Sequence, residues 1–447
     1  MAHLLIFGIG PIPLEGTRLF HAGGNRAWHL TDALRQAGHR VTLLCMRVTS
    51  HGRTDTEVHR TEHEGVTYVS VDELTHFSND SFLREFVREV NPDALVGACA
   101  YPAARAAIAA GDRPLWGDLH GYHMGEAQAK AFRDQEDGFR FHYWERYRPA
   151  LERGDRFSVT SEPHRFALIG ELGVLGRLNS HSFEEDLIHT IPIAWSSIPF
   201  RKKRQRLPDD PFVVFWSGGF NTWCDVDTLA KSLELAMERD NRIRFLSTGG
   251  AIDGHDEKTY PQFRRLVEAS PFRDRFDLRG WVASEDLPAI QEQVDLFISV
   301  DRFCYETLIG ARNRITEMLV RGIPVLSTLG TEISRILHHY SCGFTAPIGD
   351  AETIADRIVW AAEHPRELDE MRLKARRLFD ERYTYAKTAE PLIAWAGNPV
   401  RAGDAEKTVP LLIAPPTAEE PRGLRESVRD VLKALAKRLR DTFSTNQ

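Results

Sequence analysis

Two arginines and a glutamate stand close together at 312–317, where they could bind a phosphorylated ligand. Arg312 and Arg314 lie at the predicted start of a helix, and Glu317 is one helical turn beyond Arg314. Two guanidiniums near a helix N-terminus attract an anion, because the free N–H groups and the helix dipole add to their charge. A carboxylate one turn further on can accept hydrogen bonds from two vicinal hydroxyls, such as those of a ribose. The pattern therefore indicates a nucleoside diphosphate site, and the alternative is a solvated helix face with an internal ion pair.

The elements around these residues follow the order helix, strand, helix. A helix is predicted over 314–321, and Gly322 stands where a helix-ending residue adopts the left-handed conformation. A short apolar strand follows at 323–328, and a turn ending at Thr331 leads into a second helix over 332–340. Because the polar residues cluster where these helices begin, we include Thr331 among the candidate ligand-binding residues.

The same segment resembles the donor-sugar motif of retaining GT-B glycosyltransferases, family 4 in particular. Glu317, Gly322 and Pro324 have the spacing E-x4-G-x-P-V of that motif. In that family the second Glu of a Glu-x7-Glu pair holds the donor ribose, and the resemblance carries this role to Glu317. The first Glu departs from the pattern, because Ile309 stands eight residues before Glu317 and the nearest acid is Glu306. Glu306 is kept as a candidate catalytic residue.

Length and composition predict a soluble globular protein of two domains plus an extra segment. The 447 residues carry a net charge of −7, which argues against nucleic acid as a partner. The five cysteines are scattered, form no CxxC pair and have no histidines at zinc-site spacing, so we expect reduced thiols and a cytoplasmic protein. The sequence begins as a strand rather than a signal peptide, and no apolar run approaches the roughly 20 residues of a membrane span.

A glycine pair near the N-terminus is a second candidate for ligand binding. The first predicted strand, 3–7, ends in the letters GIG, but Pro13 stands where a dinucleotide motif requires glycine, so we exclude a nicotinamide site there. Gly23 and Gly24 then precede a helix predicted over 25–37. Alone they are a flexible helix entry. Followed by the helix and a Gly-His-x-Val strand, they resemble the opening of the same family, in which this loop lies over the donor phosphates or sugar.

Another candidate group stands at the end of a strand in the N-terminal half. Strands predicted at 66–71 and 94–99 alternate with helices, which indicates a doubly wound parallel sheet. Ligands bind outside the carboxyl ends of such strands. The stretch 114–121 is predicted as a strand with a polar tip, and Asp118 and His120 lie at that tip. We interpret His120 as a contact for the transferred sugar, against the alternative of a structural histidine. Glu126 is a weaker candidate in the same stretch.

The second half begins after a basic, proline-flanked run at 201–206, where we place the domain linker. The strand predicted at 212–216 leads into Gly218, Gly219 and Asn221, and then into a helix, which is the arrangement of a phosphate-binding turn. The glycines allow the backbone to approach a diphosphate. The DxD letters at 225–227 also occur in metal-dependent glycosyltransferases of another fold, but such pairs arise often by chance, and we expect no metal and no cofactor.

The last fifty residues differ from the rest in composition. A Pro- and Ala-rich linker follows residue 398, and 424–443 is predicted as a basic amphipathic helix. Packing on this chain or on a partner helix would cover its apolar face. The alternative is contact with a membrane surface.

Together these patterns predict an α/β protein of GT-B architecture, with two Rossmann-like doubly wound domains facing across a cleft. The domains are predicted at 1–200 for the acceptor side and 211–397 for the nucleotide sugar, with 398–447 as linker and helix. The resemblance implies transfer of a sugar from a nucleoside diphosphate sugar to a glycan or small-molecule acceptor, with retention of configuration. Two alternatives stay open: a nucleotide-sugar epimerase of the same fold, and a non-catalytic scaffold subunit.

Overall fold

Two β-sheets form the centres of two α/β domains in the computed structural model, which describes residues 1–15, 22–48, 55–200, 207 and 209–407. The predicted C-terminal helix at 424–443, with its membrane or partner contact, lies outside the described residues, as does the basic run at 201–206. Within the described ranges, no helix is long and apolar enough to cross a membrane.

The N-terminal sheet has eight strands in the order β3-β4-β2-β1-β5-β6-β7-β8. The strands are β1 (His3–Gly10), β2 (Arg40–Arg47), β3 (His59–His63), β4 (Val66–Asp72), β5 (Ala94–Ala98), β6 (Leu115–Leu119), β7 (Arg156–Val159) and β8 (Ile188–Thr190). All pair in parallel except the edge strand β3. The central strands are apolar on both faces because helices cover both sides of the sheet. The predicted doubly wound architecture is therefore confirmed.

Six helices cover this sheet: α1 (Ala22–Gln36), α2 (Asp80–Val90), α3 (Ala100–Ala109), α4 (His123–Asp134), α5 (Gly138–Arg153) and α6 (Glu162–Val174). Their sequences set both their limits and their inner faces. In α2, for example, the Asn79 side chain accepts hydrogen bonds from the first free backbone N–H groups, while Leu83, Phe86 and Val87 recur at helical spacing and are buried.

The C-terminal sheet has six parallel strands in the order β11-β10-β9-β12-β13-β14. The strands are β9 (Phe212–Ser217), β10 (Ile243–Thr248), β11 (Phe276–Leu278), β12 (Leu296–Ser299), β13 (Val325–Thr328) and β14 (Gly343–Ala346). The chain order reverses between β9 and β12, because β10 and β11 lie to one side of β9 and β12 to β14 to the other. A crevice forms outside the carboxyl ends of strands at such a reversal, and ligands bind there.

The helices of this domain are α7 (Val226–Arg239), α8 (Thr259–Ala269), α9 (Leu287–Gln291), α10 (Tyr305–Ile309), α11 (Asn313–Arg321), α12 (Glu332–His339), α13 (Ala351–Glu363) and α14 (Pro365–Arg382). Helix α11, which carries the arginine–glutamate segment, ends as predicted at Gly322, in the left-handed conformation with φ 65°. Ile315, Met318 and Leu319 bury its apolar face. The opposite face is left to the polar residues of the site.

The end of the described chain returns to the N-terminal domain. Helices α15 (Tyr385–Thr388) and α16 (Glu390–Ala396) pack on α1, where Tyr385 Oη donates to Asn25 Oδ1 at 2.9 Å. Further on, Arg401 Nε donates to Asp155 Oδ1 at 3.0 Å. This arrangement differs from the predicted domain boundary at 397 and from the predicted linker after it. Residues 385–407 lie on the first domain because of long-range packing, which composition does not predict.

The two passages of the chain between the domains run side by side. The first leaves the N-terminal domain after β8, and the second follows α14. Trp195 in the first passage donates its backbone N–H to the carbonyl of Tyr383 in the second at 3.2 Å, and it forms a parallel bridge with Thr384.

Candidate donor cleft between the two domains

A cavity of about 760 Å³ lies between the two domains and is lined by residues at the carboxyl ends of both sheets. Its walls combine glycine turns, histidines and charged side chains. The structure brings eight of the predicted site residues together there: Gly23, His120, Glu126, Gly218, Gly219, Asn221, Arg314 and Glu317. These residues come from segments almost 300 positions apart in the sequence. The other five, Gly24, Asp118, Glu306, Arg312 and Thr331, do not line this cavity.

The turn after β9 forms a close-packed glycine surface. Gly218 has φ +87°, and its N–H donates to the carbonyl of Thr248 at 2.8 Å. The adjacent turn touches it, because a Cβ on Gly249 would lie 2.2 Å from the carbonyl oxygen of Gly218. A side chain at either position would require the backbone to move. The two turns therefore expose main chain rather than side chains to the cavity, as a backbone that approaches a diphosphate requires.

Arg314 is the predicted arginine that reaches this cavity. Its Nη2 donates to the carbonyl of Gly219 at 2.7 Å, and its guanidinium carbon lies 4.6 Å from the ring centre of Trp216. Its Nη1 is buried and has no hydrogen-bond partner among the described residues. Two contacts thus fix the guanidinium beside the glycine turn and leave one end available to a ligand.

Arg312 is held away from the cavity, contrary to the prediction that it binds the diphosphate. Its Nε donates to Asp301 Oδ2 at 2.9 Å, and its Nη1 and Nη2 donate to the two oxygens of Glu306, each at 2.9 Å. All three side chains are buried. Burial raises the pKa of Glu306, although Arg312 acts in the opposite direction. The three form a closed buried ion cluster, so the geometry also argues against direct catalysis by Glu306.

Glu317 faces the cavity with one carboxylate oxygen still available. Its Oε1 accepts from Gln291 Nε2 at 2.8 Å and lies 3.6 Å from Arg321 Nε. No described residue donates a hydrogen bond to its Oε2. Gln291 therefore orients the carboxylate, and the remaining oxygen can accept from a ligand hydroxyl. Glu317 and Arg314 stand one helical turn apart on the same face of α11.

The N-terminal domain contributes His120, His123 and Glu126 to the opposite wall. The His120 ring lies 3.4 Å, Nε2 to Nδ2, from Asn313 of the other domain. His123 packs on Tyr143 at 4.6 Å between ring centres, and burial lowers its pKa to about 4. Burial and the neighbouring Glu306 carboxylate raise the pKa of Glu126 to about 8. At neutral pH this wall therefore presents a neutral imidazole and a carboxyl group that binds its proton unusually tightly.

Asp118 requires a correction, because the sequence placed it at a polar strand tip. It is fully buried inside the N-terminal domain. Arg26 donates to both of its oxygens, with Nη2 to Oδ1 at 2.6 Å and Nε to Oδ2 at 2.9 Å, and Ser158 Oγ donates to Oδ1 at 2.6 Å. Burial would raise the pKa of Asp118, but the attraction of Arg26 outweighs it and lowers that pKa. Asp118 therefore anchors α1 to the sheet and does not reach a substrate.

Gly24 and Thr331 also differ from their predicted places. A Cβ on Gly24 would lie 1.8 Å from the carbonyl oxygen of Pro11, so this glycine allows α1 to pack against the first loop. Thr331 caps α12, where its Oγ1 accepts from the backbone N–H of Ser334 at 3.3 Å. Both residues therefore have local structural roles, Gly24 in helix packing and Thr331 in helix capping.

Several residues that line the cavity could not be identified as candidates from the sequence alone. Trp281 donates from its indole N–H to the carbonyl of Ala251 at 2.8 Å and is 42% exposed beside the glycine turns. Arg321 looks like an ordinary basic residue at a helix end. His123 and Glu126 are the exception, since their spacing of three on one helix places them on a common face.

The two acids of the DxD letters, which we set aside as a chance pair, do not line the cavity. Asp225 caps α7 by accepting from the N–H of Thr228 at 3.1 Å, and Asp227 accepts from Gln262 at 2.9 Å. Over the part of the chain that the structure describes, no group of three or more His, Cys, Asp or Glu side chains is arranged to hold a metal ion.

Comparison with known families matches both domains. A model for Glycosyltransferase Family 4 matches residues 23–178, and one for Glycosyl transferases group 1 matches residues 211–364. Together the two models span well over half of the chain. The chain belongs to the GT-B glycosyltransferases. The predicted family and fold are therefore confirmed.

Solved structures share the fold of this glycosyltransferase. HepE from Anabaena, crystallised with UDP and glucose, matches with a TM-score of 0.61 at 14% identity, over 89% of this chain and 100% of that one. Sucrose-phosphate synthase from Thermosynechococcus elongatus matches with a TM-score of 0.62 at 15% identity, over 88% and 97%. At such identities the similarity establishes the fold alone.

Among curated proteins, mannosylfructose-phosphate synthase from Agrobacterium fabrum (strain C58) is 26% identical over 231 residues. The match covers 48% of this glycosyltransferase and 49% of the relative, so the chain spans about half the length of that relative.

Proposed function

We propose that this glycosyltransferase transfers a sugar from a nucleoside diphosphate sugar to an acceptor hydroxyl. The observation that carries the proposal is the pair Arg314 and Glu317 on one face of α11. Arg314 offers an unpartnered buried N–H beside the glycine turn, which suits a diphosphate. Glu317 offers an oriented carboxylate oxygen one helical turn away, which suits the ribose hydroxyls. The two ligand groups are neighbours in a nucleoside diphosphate.

In this proposal the chemistry is electrostatic stabilisation of the leaving group. Breaking the glycosidic bond leaves negative charge on the diphosphate. The Arg314 guanidinium and the glycine turn would stabilise that charge because they are fixed before the reaction begins. No side-chain nucleophile is required when the acceptor attacks on the leaving-group face, which is the retaining outcome that the family resemblance implies.

The ligands bound to structural relatives support a nucleotide-sugar donor. HepE was solved with UDP and with UDP-glucose, and an Escherichia coli structure was solved with UDP-2-fluoro glucose. The curated relative is named as a synthase of a sugar phosphate. A sugar or sugar phosphate is accordingly our first acceptor class, with a surface glycan as the second.

A thermal-shift panel of UDP, GDP, ADP, CMP and dTDP tests the nucleotide site. A ligand that binds the native state raises the melting temperature as its concentration exceeds its dissociation constant. We expect one diphosphate to raise it in the wild type and in Glu238→Ala, a variant of an exposed residue on α7, but not in Glu317→Ala. No shift with any nucleotide, or an equal shift in Glu317→Ala, would overturn the assignment.

Turnover separates the transferase from its alternatives. With the nucleotide sugar of the selected base, release of the free nucleoside diphosphate should require a sugar or sugar phosphate acceptor. An epimerase would change the donor sugar without any acceptor. A scaffold subunit would bind nucleotide weakly and turn over no donor.

A further inference from the structure

Glu126 occupies the place where the two domains meet at the edge of the cleft. It lies in the first turn of α4 and lines the cavity on the N-terminal side. The C-terminal domain approaches α4 closely there, because a Cβ on Gly125 would lie 3.2 Å from the Cα of Glu306. Glu126 therefore faces the part of the cavity that lies between the two domains.

The carboxyl group of Glu126 has no hydrogen-bond donor among the described residues. Two other carboxylates in or near the cleft are held by donors, Glu317 by Gln291 and Glu306 by Arg312, and a third that lines the cavity, Asp253, is exposed to solvent. A partly buried carboxylate without donors is unfavourable in its ionised form. The surroundings of Glu126 therefore favour the protonated form.

The local charge count leads to the same conclusion. Asp301 and Glu306 already share the guanidinium of Arg312. An ionised Glu126 would add a third carboxylate beside a cation that is fully occupied. Like charges at short range cannot all ionise without a large penalty.

Among the described residues, the titratable groups that face Glu126 include no cation other than Arg312. They are Glu306 and Arg312 from the other domain, Tyr143 from α5, Cys99 from the start of α3, and His123 from its own helix. His123 is neutral at physiological pH, because burial lowers its pKa to about 4. Burial and Glu306 together raise the pKa of Glu126 to about 8.

We propose that Glu126 binds substrate as a neutral carboxylic acid, donating a hydrogen bond from its O–H to a sugar oxygen in the cleft. This inference rests on the proposed sugar transfer. A protonated carboxyl group can donate with one oxygen and accept with the other, and so can match both sides of a sugar hydroxyl. Glu317 already accepts a hydrogen bond from Gln291, so Glu126 and Glu317 would have different tasks in the cleft.

The first test follows the proton itself in the full-length protein. ¹³C NMR of the side-chain carboxyl groups, with Glu126 identified by the loss of its signal in Glu126→Gln, gives its titration midpoint without any ligand. We expect a midpoint near pH 8. A midpoint near the ordinary glutamate value of about 4.5 would overturn the proposal. This result stands even if the nucleotide panel fails, so the two proposals can fail separately.

The second test measures turnover against pH with the nucleotide sugar selected by the panel. Wild-type kcat/KM should fall above about pH 8, where Glu126 loses its proton. Glu126→Gln keeps an N–H donor at the same place, so it should retain activity within a few fold and lose that alkaline decline. Glu126→Ala should lose roughly tenfold or more, the effect of one missing substrate hydrogen bond.

Two comparisons make this second test decisive. A rise in KM for the donor in Glu126→Ala places the contact on the transferred sugar, and a rise in KM for the acceptor places it on the acceptor. Glu145→Gln, at an exposed position of α5, should behave as wild type at every pH. If folded Glu126→Ala keeps wild-type kinetics for both substrates, Glu126 does not contact substrate and the proposal is wrong.

Discussion

The guanidinium of Arg314 stacks over Trp216 at 4.6 Å while its Nη2 is hydrogen-bonded to the adjacent glycine turn. A buried arginine held by stacking and by one hydrogen bond has few conformations left to lose when a ligand binds. The remaining N–H can therefore bind an anion with little loss of side-chain conformational entropy. A lysine could supply the charge at this position but neither the stacking nor the fork of donors.

Replacing Arg314 with lysine should weaken nucleoside diphosphate binding by roughly tenfold or more, because charge alone does not replace the positioned donor. Binding of the corresponding nucleoside, which lacks phosphates, should change little. Isothermal titration with both ligands measures the difference. Equal losses for nucleoside and diphosphate would show that Arg314 supports the fold of the site rather than the phosphates.

Replacing Arg312 with methionine should damage stability far more than replacing Arg314. It would leave Asp301 and Glu306 as uncompensated buried carboxylates, at a cost of about 3–5 kcal/mol. Urea unfolding near neutral pH measures this, and the double variant Arg312→Met with Glu306→Gln should recover part of the loss. A loss below about 1 kcal/mol would contradict the buried ion cluster.

Asp118→Asn should act on stability and not on nucleotide affinity. The change leaves the buried Arg26 without its charge partner, and removing one member of a buried pair costs about 3–5 kcal/mol. Urea unfolding gives the stability, and titration of the folded variant with the selected diphosphate gives the affinity. A specific loss of affinity at unchanged stability would return Asp118 to the list of substrate contacts.

His164 should make the protein less stable in acid. It is fully buried and its ring nitrogens have no partner among the described residues; burial lowers its pKa to about 3. The unfolded chain binds this proton near pH 6.5 and the folded chain does not, so its stabilising contribution is complete above pH 6.5 and declines as pH falls toward 3.

At pH 5 that contribution has fallen by about 2 kcal/mol. His164→Phe should therefore lose less stability than wild type between pH 7.5 and pH 5, as measured by urea unfolding at both values. His142→Phe, at an exposed position of α5, is the matched control and should follow wild type. Parallel losses in wild type and His164→Phe would mean that His164 is protonated in the native state.

The sequence was sufficient for the architecture but only partly so for the site. Helix ends such as Gly322 and apolar runs such as β13 are local properties, so they could be predicted. Which arginine is available to a ligand depends on partners that the fold supplies. Arg312 and Arg314 look equivalent in the sequence. They differ in the fold because Asp301 and Glu306 form ion pairs with Arg312.

Long-range contacts explain the remaining differences. Asp118 is paired with Arg26, which is 92 positions away in the sequence, and no local sequence pattern predicts that pairing. The return of α15 and α16 to the first domain likewise rests on Tyr385 and its neighbours meeting α1. Glu126 acquires its unusual proton affinity from burial and, in second place, from Glu306 of the other domain. Such properties arise from the meeting of two domains rather than from the composition of either.

The paired passages at Trp195 and Tyr383 have a mechanical consequence. Two covalent connections, joined by a backbone hydrogen bond, act together as one narrow hinge. Such a joint permits rotation about a single axis and resists twisting of one half against the other. Opening would widen the gap between Glu126 and Glu317 while each wall stays internally rigid. Closing would bring the two walls back to the same alignment, so the geometry of the cleft depends on this joint as well as on the residues that line it.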